Sequence, residues 1–227
     1  MIMKSHQTLP AGPVVDGLRI GSLRLTAIFA LSQEPAGSPS GETMRLAEML
    51  VAATAGVHHR FVRVAALSPS GRPVAALSSP KPAPFVSISH AEGLIGAAAS
   101  GDGPIGMDIV SPNSAGDGLD FFFSAKELSF RADGFGDVRA MLWAAKEAAY
   151  KASQLDAEYR PRQVKIRALS PRGFEWVICT PYRNVSGAGS FAMVAGHVVA
   201  FAAMSVAGSA AARYTAKPLL QETAGCF

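Results

Sequence analysis

Cysteine is scarce. Cys179 and Cys226 are the only two in 227 residues, too few for a disulfide framework, and neither forms a CxxC pair or stands near a histidine cluster. Small secreted scaffolds and zinc modules are thereby excluded, and a reducing cytoplasm is the expected compartment. Charge is also thin, at 17% of residues against 49% hydrophobic ones, which excludes a disordered chain and supplies core for one large domain or two small ones. The net charge is +4 with no lysine or arginine block, so the footprint of a nucleic-acid or membrane-surface protein is missing. A phosphate-rich small molecule or an acidic protein suits such scattered positive charge better. Residues 1–17 contain Pro10, Pro13 and polar side chains where an export signal needs an apolar core, and they read as an unpatterned leader. Residues 191–212 carry no Asp, Glu, Lys or Arg, a length that spans a bilayer. Gly196-His197 splits that segment into two short runs rich in Val and Phe, which favours a buried β-hairpin over a membrane helix.

Hydrophobic periodicity orders the rest. Residues 18–31 alternate as a strand, 33–41 form a Pro/Gly/Ser-rich loop, and 43–55 form a helix capped by Ser40 or Thr43 and stopped by Gly56. Its apolar stripe is Met44, Ala47, Leu50, Val51 and Thr54. Strands follow at 61–67, 85–89, 94–100 and 105–110, with turns at 68–71 and 101–103. After a loop with Gly116 and Gly118, Ser124 with Glu127 three residues on opens a short helix over 124–132, broken by Gly134 and Gly136. A longer helix spans 137–154, where Ala, Leu, Lys and Glu run without Gly or Pro. Strands at 163–169, 174–180, 191–195 and 198–205 complete the pattern, and 213–227 reads as a loose tail. Helix, strand and hairpin thus occur twice. The expected fold is α+β, with two similar lobes related by pseudo-twofold symmetry, each a small mainly antiparallel sheet packed against a long helix. The lobes divide at 103/104.

Three clusters stand out chemically. On the long helix Glu147 and Lys151, four residues apart, share a face one turn beyond Trp143. Such a pair is also the commonest decoration of an exposed helix, contributing a few tenths of a kcal/mol. Asp108 stands alone among apolar residues in Gly106-Met107-Asp108-Ile109-Val110. A buried carboxylate needs a cation, a metal or backbone donors, although an aspartate closing a strand is also ordinary turn chemistry. Ser89-His90 ends the strand Phe85-Val86-Ser87-Ile88-Ser89-His90 just before Gly93, a place where a hydroxyl, an imidazole and free amides bind an anion, or where a strand simply ends. Neighbouring strand residues point to opposite faces, so direct proton transfer from Ser89 to His90 is disfavoured. Two carboxylates from different elements, with phosphate oxygens, make the oxygen shell that Mg²⁺ favours.

Taken in order, these segments resemble the 4'-phosphopantetheinyl transferases. Ile105-Gly106-Met107-Asp108-Ile109 followed by Trp143-Ala144-Ala145-Lys146-Glu147-Ala148-Ala149-Tyr150-Lys151 is similar to that family's paired signature, (I/V)G(I/V)D then WxxKExxxK. Gly71-Arg72-Pro73 resembles its GKP, Ser87-Ile88-Ser89-His90 its strand ending in SH, and Phe122-Phe123-Ser124-Ala125-Lys126-Glu127-Leu128 its FFSxxE. Five segments in the family's order cover about residues 43–203, and the length suits the monomeric, two-lobed Sfp-like subgroup. The resemblance implies transfer of the phosphopantetheine arm of coenzyme A to a serine of an acyl, peptidyl or aryl carrier protein, with release of 3',5'-ADP. It further implies that Asp108 and Glu147 hold Mg²⁺ and that Glu147 serves as base toward the carrier serine. Lys151 would offset charge on the departing phosphate, and Arg72, Ser89 and His90 would hold the coenzyme's phosphates, with Asp108 and Lys151 also beside them. Phosphoryl transfer relies on positioning and charge neutralisation, so this equipment is sufficient. Neither nucleic acid nor membrane is an expected partner.

Two departures accompany the likeness. Val110 stands where many members carry a second acidic residue, leaving the metal two protein carboxylates and more waters. The helix over 43–55 offers Arg45 as its one cation, beside Glu42 and Glu48, whereas the family's first half presents several basic residues to the coenzyme, and Arg60 and Arg63 are candidate substitutes. Both departures leave open a degenerate relative that binds coenzyme A or a carrier protein without transfer.

Overall fold

The structure, a computed structural model, describes residues 14–32, 41–67, 71–111, 117–131, 137–181 and 184–205. Its class is α+β, with mostly antiparallel sheets and few helices. Strands β1 (Val14–Ile20), β2 (Leu23–Leu31), β5 (Phe85–Ala91) and β6 (Leu94–Ser100) form one antiparallel sheet in the order β1-β2-β6-β5. Strands β7 (Ile105–Val110), β8 (Val164–Ser170), β9 (Gly173–Cys179), β10 (Asn184–Val194) and β11 (His197–Met204) form a second in the order β7-β11-β10-β9-β8. A two-stranded ribbon pairs β3 (Val62–Leu67) with β4 (Arg72–Leu77). The helices are α1 (Gly41–Ala55), the single turn α2 (Ala125–Leu128) and α3 (Val138–Ser153).

Strand alternation sorts the core into layers. On β6, Ile95, Ala97 and Ala99 pack with Leu46, Leu50 and Val51 of α1. The intervening Leu94 and Ala98 pack instead with Met107 and Ile109 of β7 and Val199 and Phe201 of β11. On the other side of the second sheet, Val110, Trp176, Val198 and Ala200 pack with Ala144, Ala148 and Ala152 of α3. The same alternation turns Asp108, between Met107 and Ile109, toward α3. Gly106 shares that side. A Cβ there would lie 1.9 Å from the Ala148 carbonyl oxygen, so only glycine lets the helix approach this closely.

The two sheets meet where edge strand β5 runs beside edge strand β7. No backbone ladder joins them. Instead the buried hydroxyl of Ser87 accepts from the Met107 N–H at 2.9 Å, and that of Ser89 accepts from the Ile109 N–H at 3.1 Å. Serine at alternate positions thus satisfies edge amides that would otherwise be orphaned.

Helix α3 forms much as its composition predicts. The Asp137 carboxylate accepts from the Arg139 N–H at 2.8 Å as N-cap, worth about 1 kcal/mol, and Gln154 ends the helix in the left-handed region at φ 53°. The segment from residue 191 to Met204 is the expected hairpin, β10 paired with β11. Among the described residues no helix is long and apolar enough to cross a membrane.

Several expectations need correction. The single strand over 18–31 is a hairpin, because Gly21 takes φ +64° and reverses the chain, and its first strand begins at Val14, inside the expected leader. Strand β4 has no counterpart among the expected strands, and it carries Pro73. The ribbon has only two strands, so β4 is unpaired on its other side and tolerates the missing N–H. The first strand after α1 starts at Val62, preceded by a 3-10 turn over His59–Phe61. On α1 the buried stripe is Thr43, Leu46, Ala47, Leu50, Val51 and Ala52, whereas Thr54 is exposed and bonds the Leu50 carbonyl. The helix expected over 124–132 is one turn with its Ser124/Glu127 capping box in place. The loop at 33–40 with Ser40, the turn at 68–70, the glycines 116, 134 and 136, Cys226 and the tail 213–227 lie outside the described residues.

Candidate active site

Helix α3 and strand β7 bring their chemistry together because Gly106 permits close contact. Lys151 Nζ lies 2.7 Å from Asp108 Oδ1, donates to the Met107 carbonyl at 3.1 Å, and sits 3.9 Å from Glu147 Oε2. Asp108 is nearly inaccessible, with 6% of its side chain exposed, while Glu147 and Lys151 keep 28% and 29%. Ser89 completes the shell by donating its hydroxyl to Asp108 Oδ1 at 2.8 Å. All six residues singled out from the sequence, Arg72, Ser89, His90, Asp108, Glu147 and Lys151, line one cavity of about 340 Å³.

The electrostatics follow from that packing. Burial is the largest force on Glu147, the nearby Asp108 charge adds to it, and a hydrogen bond with Asp108 favours the protonated form. Lys151 and a hydrogen bond from the Trp143 side chain oppose the shift, and the carboxyl is pushed up to about 7. A carboxyl so placed accepts a proton near neutral pH. Burial alone would lower the Lys151 ammonium, but the carboxylates of Asp108 and Glu147 outweigh it and raise its pKa. Lys151 therefore stays charged.

One ammonium serves two carboxylates here, and their mutual repulsion is what a bound cation relieves. Asp108 and Glu147 are hard oxygen donors of the kind Mg²⁺ takes, with phosphate or water oxygens filling the remaining positions. Among the described residues no group of three or more His, Cys, Asp or Glu side chains is placed to hold a metal. Val110, two residues after Asp108, is buried with Ala144 and Ala148.

The remaining sequence-selected residues divide in role. Arg72 opens β4, and its Nη1 reaches across the cavity to the Gln154 carbonyl at 3.2 Å, at the negative end of α3. His90 lines the cavity from β5, where it pairs with Ile95 of β6. Ser89 is only 6% exposed, and its hydroxyl already donates to Asp108 and accepts from Ile109. It orients the aspartate. Arg60 lies over the Phe61 ring and Arg63 donates to the Val62 carbonyl, so neither lines the cavity.

Sequence reasoning missed two features. Lys146, next to Glu147, is completely buried and pairs at 2.8 Å with Glu127. Its ammonium also donates to the Pro161 and Val164 carbonyls, while Glu127 accepts from the Ile166 N–H and from Ser124. The signal was a lysine at an otherwise apolar stripe of α3, one position out of phase with Lys151. The second feature is the aromatic wall of Trp143, Tyr150 and Tyr159, with ring centroids 6.2 Å apart for Trp143–Tyr159 and 5.0 Å for Tyr150–Tyr159. Tyr159 follows the helix in a segment without periodicity and carried no signal.

Compared with known proteins, the chain matches no family model and no curated sequence. What the site can do rests on its own chemistry.

Proposed function

We propose that this chain is an Mg²⁺-dependent 4'-phosphopantetheinyl transferase, which moves the phosphopantetheine arm of coenzyme A onto a carrier-protein serine. The observation that carries the reading is the convergence of Asp108, Glu147 and Lys151 in one cavity with Arg72 and His90. Separate strands and a helix supply them, and the order of their motifs is the one that the resemblance rests on. On this reading the two sheets with α1 and α3 are the two lobes of a pseudo-twofold monomer, divided at 103/104, acting in the cytoplasm. Coenzyme A lies in the cleft between them.

The protein's own residues have distinct tasks. Glu147, with its carboxyl pushed up to about 7, takes the proton of the carrier serine hydroxyl. The serine oxygen bonds to the β-phosphorus of coenzyme A while that phosphorus releases its bridging oxygen, and 3',5'-ADP departs with the negative charge. Lys151, held as an ammonium by Asp108 at 2.7 Å, offsets that charge. Arg72 and His90 hold phosphate oxygens, and Ser89 keeps Asp108 oriented. Asp108 and Glu147 would hold Mg²⁺, whose contribution is neutralisation of the pyrophosphate.

Coenzyme A-dependent labelling of a carrier serine tests the proposal. Labelling by the wild type that stops with EDTA and with Glu147→Ala is the expected result. A folded wild type that labels no carrier from a broad panel would overturn it. Coenzyme A binding without release of 3',5'-ADP would favour instead the non-catalytic binding relative, which draws on Val110 in place of a third carboxylate.

A further inference from the structure

Among the described residues, Tyr159 presents a polar atom with no evident use. Tyr159 lines the same cavity as Asp108, Glu147 and Lys151, and its phenolic oxygen is shielded from solvent and makes no hydrogen bond among the described residues. Buried hydroxyls are nearly always bonded, because an orphaned one forfeits its water contacts without replacement. The ring is fixed by edge contact with Trp143 at an interplanar angle of 78° and by tilted contact with Tyr150 at 47°. Tyr150 is itself anchored, since its hydroxyl donates to the Ala157 carbonyl. A phenol so braced has little freedom to turn away.

The surroundings also set what the phenol can do. Burial first, then the charges of Glu147, Asp108 and the neighbouring Tyr150, push its pKa well above the ordinary range. Tyr159 therefore remains an O–H donor throughout the working pH. A braced donor that no protein acceptor satisfies, in a cavity also lined by the Lys151 ammonium, suits an anionic oxygen brought by a ligand.

We propose that the Tyr159 hydroxyl donates to a phosphate oxygen of the coenzyme A pyrophosphate bound at Asp108, Glu147 and Lys151. The assignment rests on the transferase reading and adds to it a binding donor outside the motifs of the resemblance. The residue it acts with is Lys151, so the departing phosphate is met by one charged and one neutral donor.

Calorimetric titration of coenzyme A with Mg²⁺ into wild type and Tyr159→Phe tests this, alongside thermal melts of both proteins without ligand. The phenylalanine keeps the ring packing. Loss of one hydrogen bond to a charged oxygen predicts affinity weakened by about tenfold or more. Without ligand the melting temperature should stay equal or rise, because an unbonded hydroxyl is replaced by apolar surface. Equal coenzyme A affinity for both proteins would overturn the role of Tyr159 and leave the transferase reading standing. A lower melting temperature for unliganded Tyr159→Phe with unchanged affinity would mean that the hydroxyl is structural. Coenzyme A bound by neither protein would overturn both.

Discussion

Two lysines five positions apart on α3 have opposite fates. Lys146 is fully buried, and each of its contacts with Glu127, Pro161 and Val164 is internal. Burial lowers its pKa against the pull of Glu127, yet the pair is complete in itself. Lys151 opens on the cavity, where it serves Asp108 and Glu147 at once and leaves Glu147 with a pKa near 7. The satisfied pair ties α2 and α3 to the start of β8, and the underserved trio is poised to take a ligand's charge. Nearly identical side chains on one helix are separated into structure and chemistry by whether their partners are already matched.

Removing each lysine should break the comparison most visibly. Lys146→Ala strands Glu127 in the core, so it should lose about 3–5 kcal/mol in denaturant unfolding. Replacing both partners by apolar residues should also destabilise, since Lys146 and Glu127 bond backbone groups that methionine or leucine cannot satisfy. Lys151→Ala removes the cation beside buried Asp108 and should also destabilise, but by less, because Ser89 and Glu147 still bond that carboxylate, while coenzyme A-dependent transfer falls by about 10²–10³. Equal stability losses for the two single variants would erase the distinction.

A smaller effect concerns pH. The Glu147 carboxyl moves from the ordinary 4.5 up to about 7, so within that window the folded protein binds more protons than the unfolded one. Its contribution to stability therefore falls as pH rises through the window, by on the order of 3 kcal/mol in all. Glu147→Gln should lack that part of the slope in urea midpoints measured across it. An unchanged slope would place Glu147 in ordinary solvent. Smallest is Ser89→Ala, which leaves the Ile109 N–H unbonded at the seam between the sheets and should cost about 1–2 kcal/mol. With Asp108 less well oriented, coenzyme A transfer should fall with it, and a stability loss with full activity would deny the positioning role.

Much of this arrangement was legible in local signals. The run of helix formers over 137–154 predicted α3, Ser124 and Glu127 predicted the capping box, and Gly196-His197 predicted the β10–β11 hairpin. Asp108 among apolar neighbours asked for a cation, a metal or backbone donors, and Lys151 lies 2.7 Å from it. What escaped depended on distant contacts. Leu18 to Leu31 alternates almost without a break, so the reversal at Gly21 was hidden inside a regular pattern. The Lys146–Glu127 pair joins residues 19 apart that each looked explained, one as a motif member and the other as a cap. Tyr159 reaches the cavity only because the segment after α3 turns back along it. Ser89 was expected as a phosphate ligand, and its place at the seam emerged only once β5 and β7 lay side by side.

On the proposed reading Asp108, Glu147 and Lys151 form a phosphoryl-transfer centre while their neighbour Lys146 does not. Mass spectrometry of carrier proteins incubated with coenzyme A and Mg²⁺, with 3',5'-ADP quantified in the same reactions, tests it most directly. Phosphopantetheine on the carrier serine and matching 3',5'-ADP from the wild type, with neither from folded Glu147→Ala, is the predicted result. Equal carrier modification by Glu147→Ala would contradict that reading.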